Sequence, residues 1–189
     1  MHNPSTASPQ TWQISALVRY SLYGLYWTLL TPLPFLAQLQ GLPLVAWGLG
    51  VGLIAGFVGI HGLLSQQVQA DHQGLRITYP AWVPSWLASG WRVNWTDIQR
   101  LHTRPTGQGG RVHYLVTHSG QAYLIPMRVA GFGRLLDTIS RHTGLPTADI
   151  KPLAQPWMYA ALGLCVLILL PLDAWLILQV FSAPSGFVN

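Results

Sequence analysis

One stretch decides how the polar middle of this chain folds: Trp91-Arg92-Val93-Asn94-Trp95-Thr96-Asp97-Ile98-Gln99-Arg100-Leu101. Apolar residues at Trp91, Val93 and Trp95 alternate with polar ones, which is the period-two pattern of a strand with one buried face. The apolar positions then shift to Ile98 and Leu101, which predicts a turn directly after Trp95 and a second strand beyond it. We expect the first strand to be central in its sheet and these five apolar side chains to fill the core.

The stretch lies in a polar region, residues 66–155, which holds nine of the ten Lys and Arg residues and four of the five acidic residues. Turn residues at positions 71–74 and 118–120 predict a β-hairpin on either side of the stretch. In the strand before the second turn, Val112, Tyr114 and Val116 form the apolar face.

After this hairpin the apolar residues return at helical spacing, at Val129, Phe132, Leu135, Leu136 and Ile139. This spacing predicts one amphipathic helix that ends at Gly144. Residues 145–156 contain three prolines and are expected to form an extended linker. The polar region is therefore predicted to be a run of antiparallel strands closed by one helix.

The rest of the chain has the composition of a membrane protein, since the mean hydropathy is +0.34 and only 8% of residues are charged. Apolar runs predict a transmembrane hairpin within residues 14–65, with helices at about 17–39 and 42–64, and a third transmembrane helix within 156–181. Pro32 and Pro34 are expected to kink or break the first helix. Residues 1–13 and 182–189 are predicted to be tails, the first of them mobile.

Two features of the apolar runs have alternative explanations. Gly48, Gly52 and Gly56 recur every fourth residue, which either lets the first helix pack closely or reflects the ordinary tolerance for glycine in lipid. Asp173 is costly inside a bilayer, so it either lies at the interface or contacts a partner subunit. Three crossings place the polar region and the N-terminal tail on one side, which the positive-inside rule makes the cytoplasmic side or its thylakoid equivalent.

Residue patterns that carry catalysis or metal binding are not found in this sequence. The seven histidines have no paired spacing and no cysteine or glutamate partner, and Cys165 is the single cysteine. No paired carboxylates, nucleophile elbow or phosphate-binding loop can be assigned. We expect no catalytic residue, no metal, no cofactor, no small-molecule substrate and no nucleic acid partner.

Candidate partner-binding residues fall into two groups. Trp82, Trp86 and Leu87 lie in a loop between prolines, which either packs over the sheet or reaches the membrane interface or a partner. The second group lies on the wet faces of strands and consists of Arg76, Arg92 and Arg111. These arginines are either solvated or bind anionic lipid headgroups or an acidic protein.

Short strands around Trp95-Thr96-Asp97-Ile98-Gln99-Arg100-Leu101, a glycine-containing hairpin and a closing amphipathic helix resemble the bacterial pleckstrin-homology-like (PH-like) domains found beside membrane helices. The resemblance covers residues 66–145 and implies an antiparallel β-sandwich capped by a C-terminal helix, here about residues 128–143. The first turn, 71–74, has no Lys or Arg, so the resemblance does not extend to a phosphoinositide pocket. A membrane hairpin followed by such a domain is also similar to the photosystem I assembly proteins of cyanobacteria and chloroplasts.

The expected function is that of a non-catalytic integral membrane protein. Its PH-like domain would dock subunits of a membrane protein complex and serve in assembly or stabilisation, which the second resemblance places in the thylakoid. The alternative is a sensor that binds anionic lipid at the bilayer surface, and an enzyme is a third possibility.

Overall fold

The computed structural model describes residues 9–107, 110–147, 150 and 156–182. These residues form an α+β structure of seven strands and five α-helices: β1 Gln10–Gln13, α1 Ala16–Leu30, α2 Pro32–Leu39, α3 Pro43–Leu64, β2 Gln67–Ala70, β3 Gly74–Thr78, β4 Trp91–Asn94, β5 Ile98–Pro105, β6 Arg111–Thr117, β7 Ala122–Leu124, α4 Phe132–Thr143 and α5 Pro156–Ser182. A 3₁₀ turn, Trp95–Asp97, joins β4 to β5. The chain divides into a polar unit, residues 1–16 and 62–155, and a helical unit, residues 17–61 and 156–189.

The polar unit contains two antiparallel sheets, one with strand order β1-β2-β3-β4 and one with order β5-β6-β7. The inner faces of both sheets and one face of α4 share a single hydrophobic core. Its most completely buried side chains are Leu75, Leu115, Ile125, Leu135, Ile139 and Val68. The prediction of antiparallel strands closed by one helix is therefore confirmed for the described residues.

Side chains alternate strictly across the first sheet. One inward-facing row crosses all four strands and consists of Trp12, Val68, Ile77 and Trp91. The neighbouring outward-facing row consists of Thr11, Gln69, Arg76 and Arg92. Because side chains on a strand point to opposite faces in turn, this register buries the apolar row and leaves the polar row in water.

The stretch from Trp91 to Leu101 behaves as predicted in its turn and in its core. Val93, Trp95 and Ile98 are buried, and Trp91 and Leu101 pack against the same cluster. The indole nitrogen of Trp95 donates a 2.9 Å hydrogen bond to the Asp71 carbonyl, and its ring stacks on His142 of α4 at 4.8 Å. The expectation of a central strand is wrong, because β4 is the last strand of the first sheet and the chain leaves for the second sheet at Trp95.

The predicted mobile tail, residues 1–13, is corrected over Gln10–Gln13, which form β1 and pair with β2. Trp12 lies opposite Val68 and is 6% exposed, and Ile14 is 7% exposed. Residues 1–8 lie outside the described part of the chain. The first strand of the polar unit therefore precedes the apolar helices α1 to α3, and its partner follows them.

The side of β6 that faces the core is not the predicted apolar face of Val112, Tyr114 and Val116. His113, Leu115 and Thr117 are buried and Leu115 belongs to the core cluster, whereas on the predicted face Val116 is buried but Val112 and Tyr114 are half-buried. Leu115 lies opposite Leu101 of β5 on the inner face, and the His113 ring satisfies its polar Nδ1 through a 2.8 Å hydrogen bond with the Thr103 hydroxyl. Alternation alone does not say which face is buried when a buried polar side chain finds a hydrogen-bond partner.

The closing helix α4 begins at Phe132 rather than at residue 128. Gly131 precedes it with a φ of 73°, and the residues before Gly131 run beside the end of β1. There the Ala130 amide donates a 2.8 Å hydrogen bond to the Gln13 carbonyl. The predicted end is confirmed, because Gly144 follows the last helical residue with a φ of 71°.

The helical unit contains two helices that are long and apolar enough to cross a membrane, α3 and residues Trp157–Ser182 of α5. The first predicted helix, 17–39, is divided into α1 and α2 at Thr31, directly before Pro32. This break agrees with the expectation from the two prolines. Of the predicted linker and C-terminal tail, residues 148–149, 151–155 and 183–189 lie outside the described chain.

Polar and aromatic contacts pack the helices of this unit side by side. The Tyr26 hydroxyl donates a 2.6 Å hydrogen bond to the Leu53 carbonyl, and the Tyr23 hydroxyl lies 2.8 Å from Nδ1 of His61. These two pairs show that α1 and α3 are antiparallel. The Ser21 hydroxyl donates to the Tyr159 carbonyl at 3.2 Å, which places α5 beside α1.

Candidate partner-binding surfaces

Arg76 and Arg92 lie directly opposite each other on the outer face of the first sheet. Arg92 donates to the side-chain oxygen of Gln73, and its guanidinium lies 3.9 Å from a carboxylate oxygen of Asp71. Arg76 has no ion pair among the described residues. The single Asp71 carboxylate can balance only one of the two guanidinium groups, so this face keeps an unbalanced positive charge. Like charges directly opposite each other on neighbouring strands also repel.

Asp71 holds the turn between β2 and β3. Its Oδ1 accepts 2.8 Å hydrogen bonds from the amides of Gln73 and Gly74. Burial alone would raise the pKa of Asp71, but the two amide hydrogen bonds and the nearby Arg92 outweigh burial and hold the pKa below its ordinary value. The turn is therefore anionic at neutral pH and orients Arg92.

Arg111 is exposed at the start of β6, in the second sheet, where it lies opposite Pro105. It does not belong to the Arg76 and Arg92 row, which is in the first sheet. The second sheet instead has a polar row that was not predicted, formed by Arg100, His102 and Arg104 on β5, in which the two arginines are cationic.

This β5 row faces outward beside apolar and aromatic neighbours. Arg104 lies opposite Val112, and His102 lies opposite Tyr114. The Arg104 guanidinium is 6.0 Å from the centroid of the Tyr114 ring, a cation–π distance. The period-two spacing of residues 100, 102 and 104 is visible in the sequence and would have identified the row.

The Trp82 to Leu87 loop is folded back by its own backbone, since the Leu87 amide donates to the Pro84 carbonyl at 2.9 Å. Trp82 is 50% exposed and lies against Gly62 in the last turn of α3, where an added Cβ would come within 3.1 Å of its ring. Trp86 is 83% exposed, and Leu87 is half-buried. Trp82 is thus partly packed, whereas Trp86 presents nearly its whole surface.

Of the predicted glycine stripe, Gly56 lies against α1, where an added Cβ would meet the Tyr26 hydroxyl at 2.5 Å. An added Cβ at Gly48 or Gly52 would meet no described atom within 4 Å. At 3.6 residues per turn, each step of four residues rotates about 40° past a full turn, so the stripe winds away from the contact. A close glycine that was not predicted is Gly24 of α1, beside Val166 of α5.

Metal-binding geometry is not found in the described residues, which contain no cluster of three or more His, Cys, Asp or Glu side chains. Cys165 is exposed on α5. Asp173 is half-buried in the interior of the same helix, two residues after Pro171. The candidate surfaces described above present charged side chains, such as Arg76 and Arg92, and an exposed aromatic ring, Trp86.

The fold and these surfaces define an α+β protein with two helices suited to a membrane and a basic polar unit. No protein-family model and no solved structure matches the chain. The uncharacterized protein slr0269 of Synechocystis sp. (strain ATCC 27184 / PCC 6803 / Kazusa) is 45% identical over 173 residues, which cover 90% of this chain and 87% of that protein. The chain belongs to the same family as this cyanobacterial protein, and the match includes most of both units.

Proposed function

We propose that the chain crosses a membrane three times, through α1 and α2 together, α3 and α5. The pairing of β1 with β2 supports this topology, because both strands belong to one sheet and must lie on the same side of the membrane. The chain between them therefore crosses an even number of times. At about 1.5 Å per residue, α1 and α2 together are roughly 36 Å long and α3 roughly 33 Å, and each length suits a bilayer core of about 30 Å.

The polar unit is proposed to lie on the cytoplasmic side, because it contains nine of the ten cationic residues. A labelling experiment tests this topology. With Cys165 replaced by Ser, single cysteines at Gln40 and at His118 are treated with a membrane-impermeant maleimide in sealed vesicles. We expect labelling from opposite sides, and labelling of both from one side would contradict the topology.

A PH-like fold is proposed for the polar unit. Support comes from four strands in chain order in one sheet, three in the other, and a helix after the last strand that packs on the shared core. The chain differs from the PH-like domains that it resembles in the position of the proposed membrane hairpin. Here the hairpin interrupts the domain between its first two strands.

We further propose that this unit docks protein subunits and that the protein is a non-catalytic assembly or stabilising factor of a membrane complex. The observation that carries the proposal is that cations face outward on both sheets, Arg76 and Arg92 on one and Arg100 and Arg104 on the other. The outer faces of two packed sheets point in opposite directions. A flat bilayer can neutralise only one of them, so an acidic protein surface is the partner that suits the other.

Purification of the tagged chain from Synechocystis, expressed there in place of its relative, tests docking. In mild detergent we expect the chain to co-migrate with subunits of a larger complex, and co-migration with chlorophyll-containing complexes would support a thylakoid role. Arg76→Gln with Arg92→Gln and Arg100→Gln with Arg104→Gln are matched variants, because each pair removes the same charge from a different face. One pair should release the partner. Recovery of the wild-type chain alone at monomer size would refute docking.

The second candidate function is a lipid-surface sensor, and the Trp82 to Leu87 loop favours it. Trp82 packs on Gly62 in the last turn of α3, and Trp86 in the same loop is 83% exposed. Exposed tryptophans are enriched at membrane boundaries, which supports a lipid-facing role for this loop. We expect brominated anionic lipids in nanodiscs to quench wild-type fluorescence more than that of the Trp86→Phe variant, with the difference reduced by salt. Equal quenching of the two chains would exclude contact between the loop and lipid.

A further inference from the structure

A groove of about 450 Å³ lies between strand β1 and the exposed side of α4 in the polar unit. Its lining consists of Gln10, Thr11, Trp12, Gln13, Ala130, Arg134, Asp137 and Arg141. One wall is the backbone of β1, the first strand of its sheet, and the other is a helix face with charged side chains. The residues assigned above to partner binding do not line this groove.

The outer edge of β1 carries backbone groups that are available for pairing. The Gln13 carbonyl accepts from Ala130, which lies on the side of β1 away from β2. In an antiparallel ladder the direction of the backbone groups alternates along the strand, so Thr11, two residues earlier, also directs its amide and carbonyl away from β2. No described residue bonds to these two Thr11 groups. A strand edge with unpaired groups is a template for another extended chain.

The charge of the groove indicates the charge expected of a partner segment. Arg134 and Arg141 are the two arginines that line the groove. Arg141 is held in place by a 3.2 Å hydrogen bond from its Nε to the Asp137 carbonyl. Two guanidinium groups, those of Arg134 and Arg141, line the groove with a single carboxylate, Asp137, so the lining has a net positive charge and is complementary to an acidic segment. A second copy of this chain would bring a second set of arginines to the same place.

We infer that the groove binds an extended acidic segment of a partner protein, which adds to the first sheet as a strand beside β1. Its backbone pairs with Thr11, and its carboxylates lie against Arg134 and Arg141. This inference rests on the proposed docking function and deepens it, because it assigns the binding site and the chemistry of the partner segment.

Selection from a random twelve-residue peptide library against the full chain in zwitterionic nanodiscs tests the inference. We expect enriched peptides that carry Asp or Glu at alternate positions, the spacing that places carboxylates on one face of a strand. Hydrogen exchange of the β1 segment should slow on binding. Enrichment of neutral or basic peptides, or of none, overturns the inference.

Two variants test the geometry. Thr11→Pro removes the outward amide, and because proline is tolerated on a strand edge, the β1–β2 ladder and the thermal unfolding of the chain should be retained. We expect acidic peptides to bind this variant about tenfold more weakly, the effect of one lost hydrogen bond. Arg134→Glu with Arg141→Glu leaves the backbone intact and should abolish selection for acidic peptides. Unchanged binding to both variants refutes strand addition.

Co-purification of native subunits with the wild-type chain and with Thr11→Pro distinguishes failure of this inference from failure of the docking proposal. If Thr11→Pro still co-purifies with all the wild-type subunits, docking stands and strand addition at β1 is refuted. If the wild-type chain forms a dimer that Thr11→Pro dissolves, the groove binds a second copy, which also overturns the inference. If the wild-type chain purifies alone at monomer size, docking itself fails.

Discussion

At the scale of single residues, His113 makes the stability of the polar unit depend on pH. Burial, with a smaller effect of Arg111, lowers the pKa of His113 below its ordinary value of 6.5. The unfolded chain therefore binds the proton first as pH falls, and the free energy of unfolding decreases from about pH 6.5 down to the folded pKa. Above this range the contribution is fully present. Denaturant unfolding in detergent between pH 7.5 and pH 5 measures the effect.

The His113→Asn variant should lose this pH dependence, because its side chain does not titrate. His118→Gln is the matched control, since His118 is exposed in the turn between β6 and β7. A control variant that lost the dependence equally would contradict the assignment to His113. The Asp71 carboxylate does not contribute to the pH dependence between pH 7.5 and pH 5, because its pKa is held below its ordinary value of 3.8.

Two glycines of the polar unit should respond oppositely to alanine. A Cβ at Gly74 would come within 2.0 Å of the Val93 carbonyl oxygen, so Gly74→Ala must push β3 away from β4. We expect a loss of about 1–3 kcal/mol in the free energy of unfolding. Gly133 is exposed within α4 with no described atom near its missing Cβ, and Gly133→Ala should stabilise by about 0.5–1 kcal/mol. Denaturant unfolding of both variants provides the test.

Individual core residues were predictable where an apolar side chain alternated or recurred at a clear period. Val93, Trp95 and Ile98 are buried as expected. His113 was not predictable, because its burial depends on the Thr103 hydroxyl, and a hydrogen bond between strands is not visible in a single sequence.

At the scale of secondary structure, β1 should contribute strongly to the polar unit. Trp12→Ala removes a side chain that is 6% exposed and lies opposite Val68, so we expect a loss of about 3–5 kcal/mol in the free energy of unfolding. Thr11→Ala, on the outer face of the same strand, should change it by less than about 0.5 kcal/mol. Equal effects of the two substitutions would show that β1 does not pack as described.

The helices and most strands could be predicted because each has its own periodic pattern. Strand β1 could not, since the segment Gln-Thr-Trp-Gln has one apolar residue and its partner β2 lies beyond three helices. The beginning of α4 was misplaced for a related reason. Val129 lies three residues before Phe132, which fits helical spacing, yet Val129 pairs with Ile14 in a bridge. The positive φ of Gly131 ends that extended segment.

At the scale of the molecule, the polar unit should fold without helices α1 to α3 only if it keeps β1. Gln13 lies opposite Gln67, so Ser15 can be joined to Ser65 through an Asn-Gly turn with residues 16–64 removed. We expect this shortened chain, ending at Ile150, to be soluble and to unfold cooperatively.

The comparison chain is residues 66–150, which lie within the region 66–155 that the sequence alone suggests as the domain and its linker. It lacks Trp12 and Ile14 and leaves β2 as an open edge, so we expect aggregation or a loss of cooperative unfolding. Circular dichroism and denaturant titration distinguish the two chains. Equal stability of both would contradict a structural role for β1.

The partner surfaces were only partly predictable from the sequence. Exposure of Arg76 and Arg92 followed from strand alternation, whereas the prolines around Trp86 left open whether the loop packs over the sheet. The groove beside β1 could not be found, because it depends on a strand that was not predicted and on a helix about 120 residues later in the chain. Surfaces assembled from distant segments need the fold before they can be recognised.

The interruption of the first sheet by the helical hairpin has a consequence for biosynthesis. Strand β1 leaves the ribosome before its partner β2, which follows roughly sixty residues later, a delay of about 3–11 s at 5–20 residues per second. On the proposed topology, the translocon receives α1 to α3 within this interval. A nascent chain whose hairpin failed to insert would hold β1 and β2 apart, leave Trp12 exposed and become a substrate for proteases. Pairing of β1 with β2 would thus protect from proteolysis only those chains whose hairpin had been inserted.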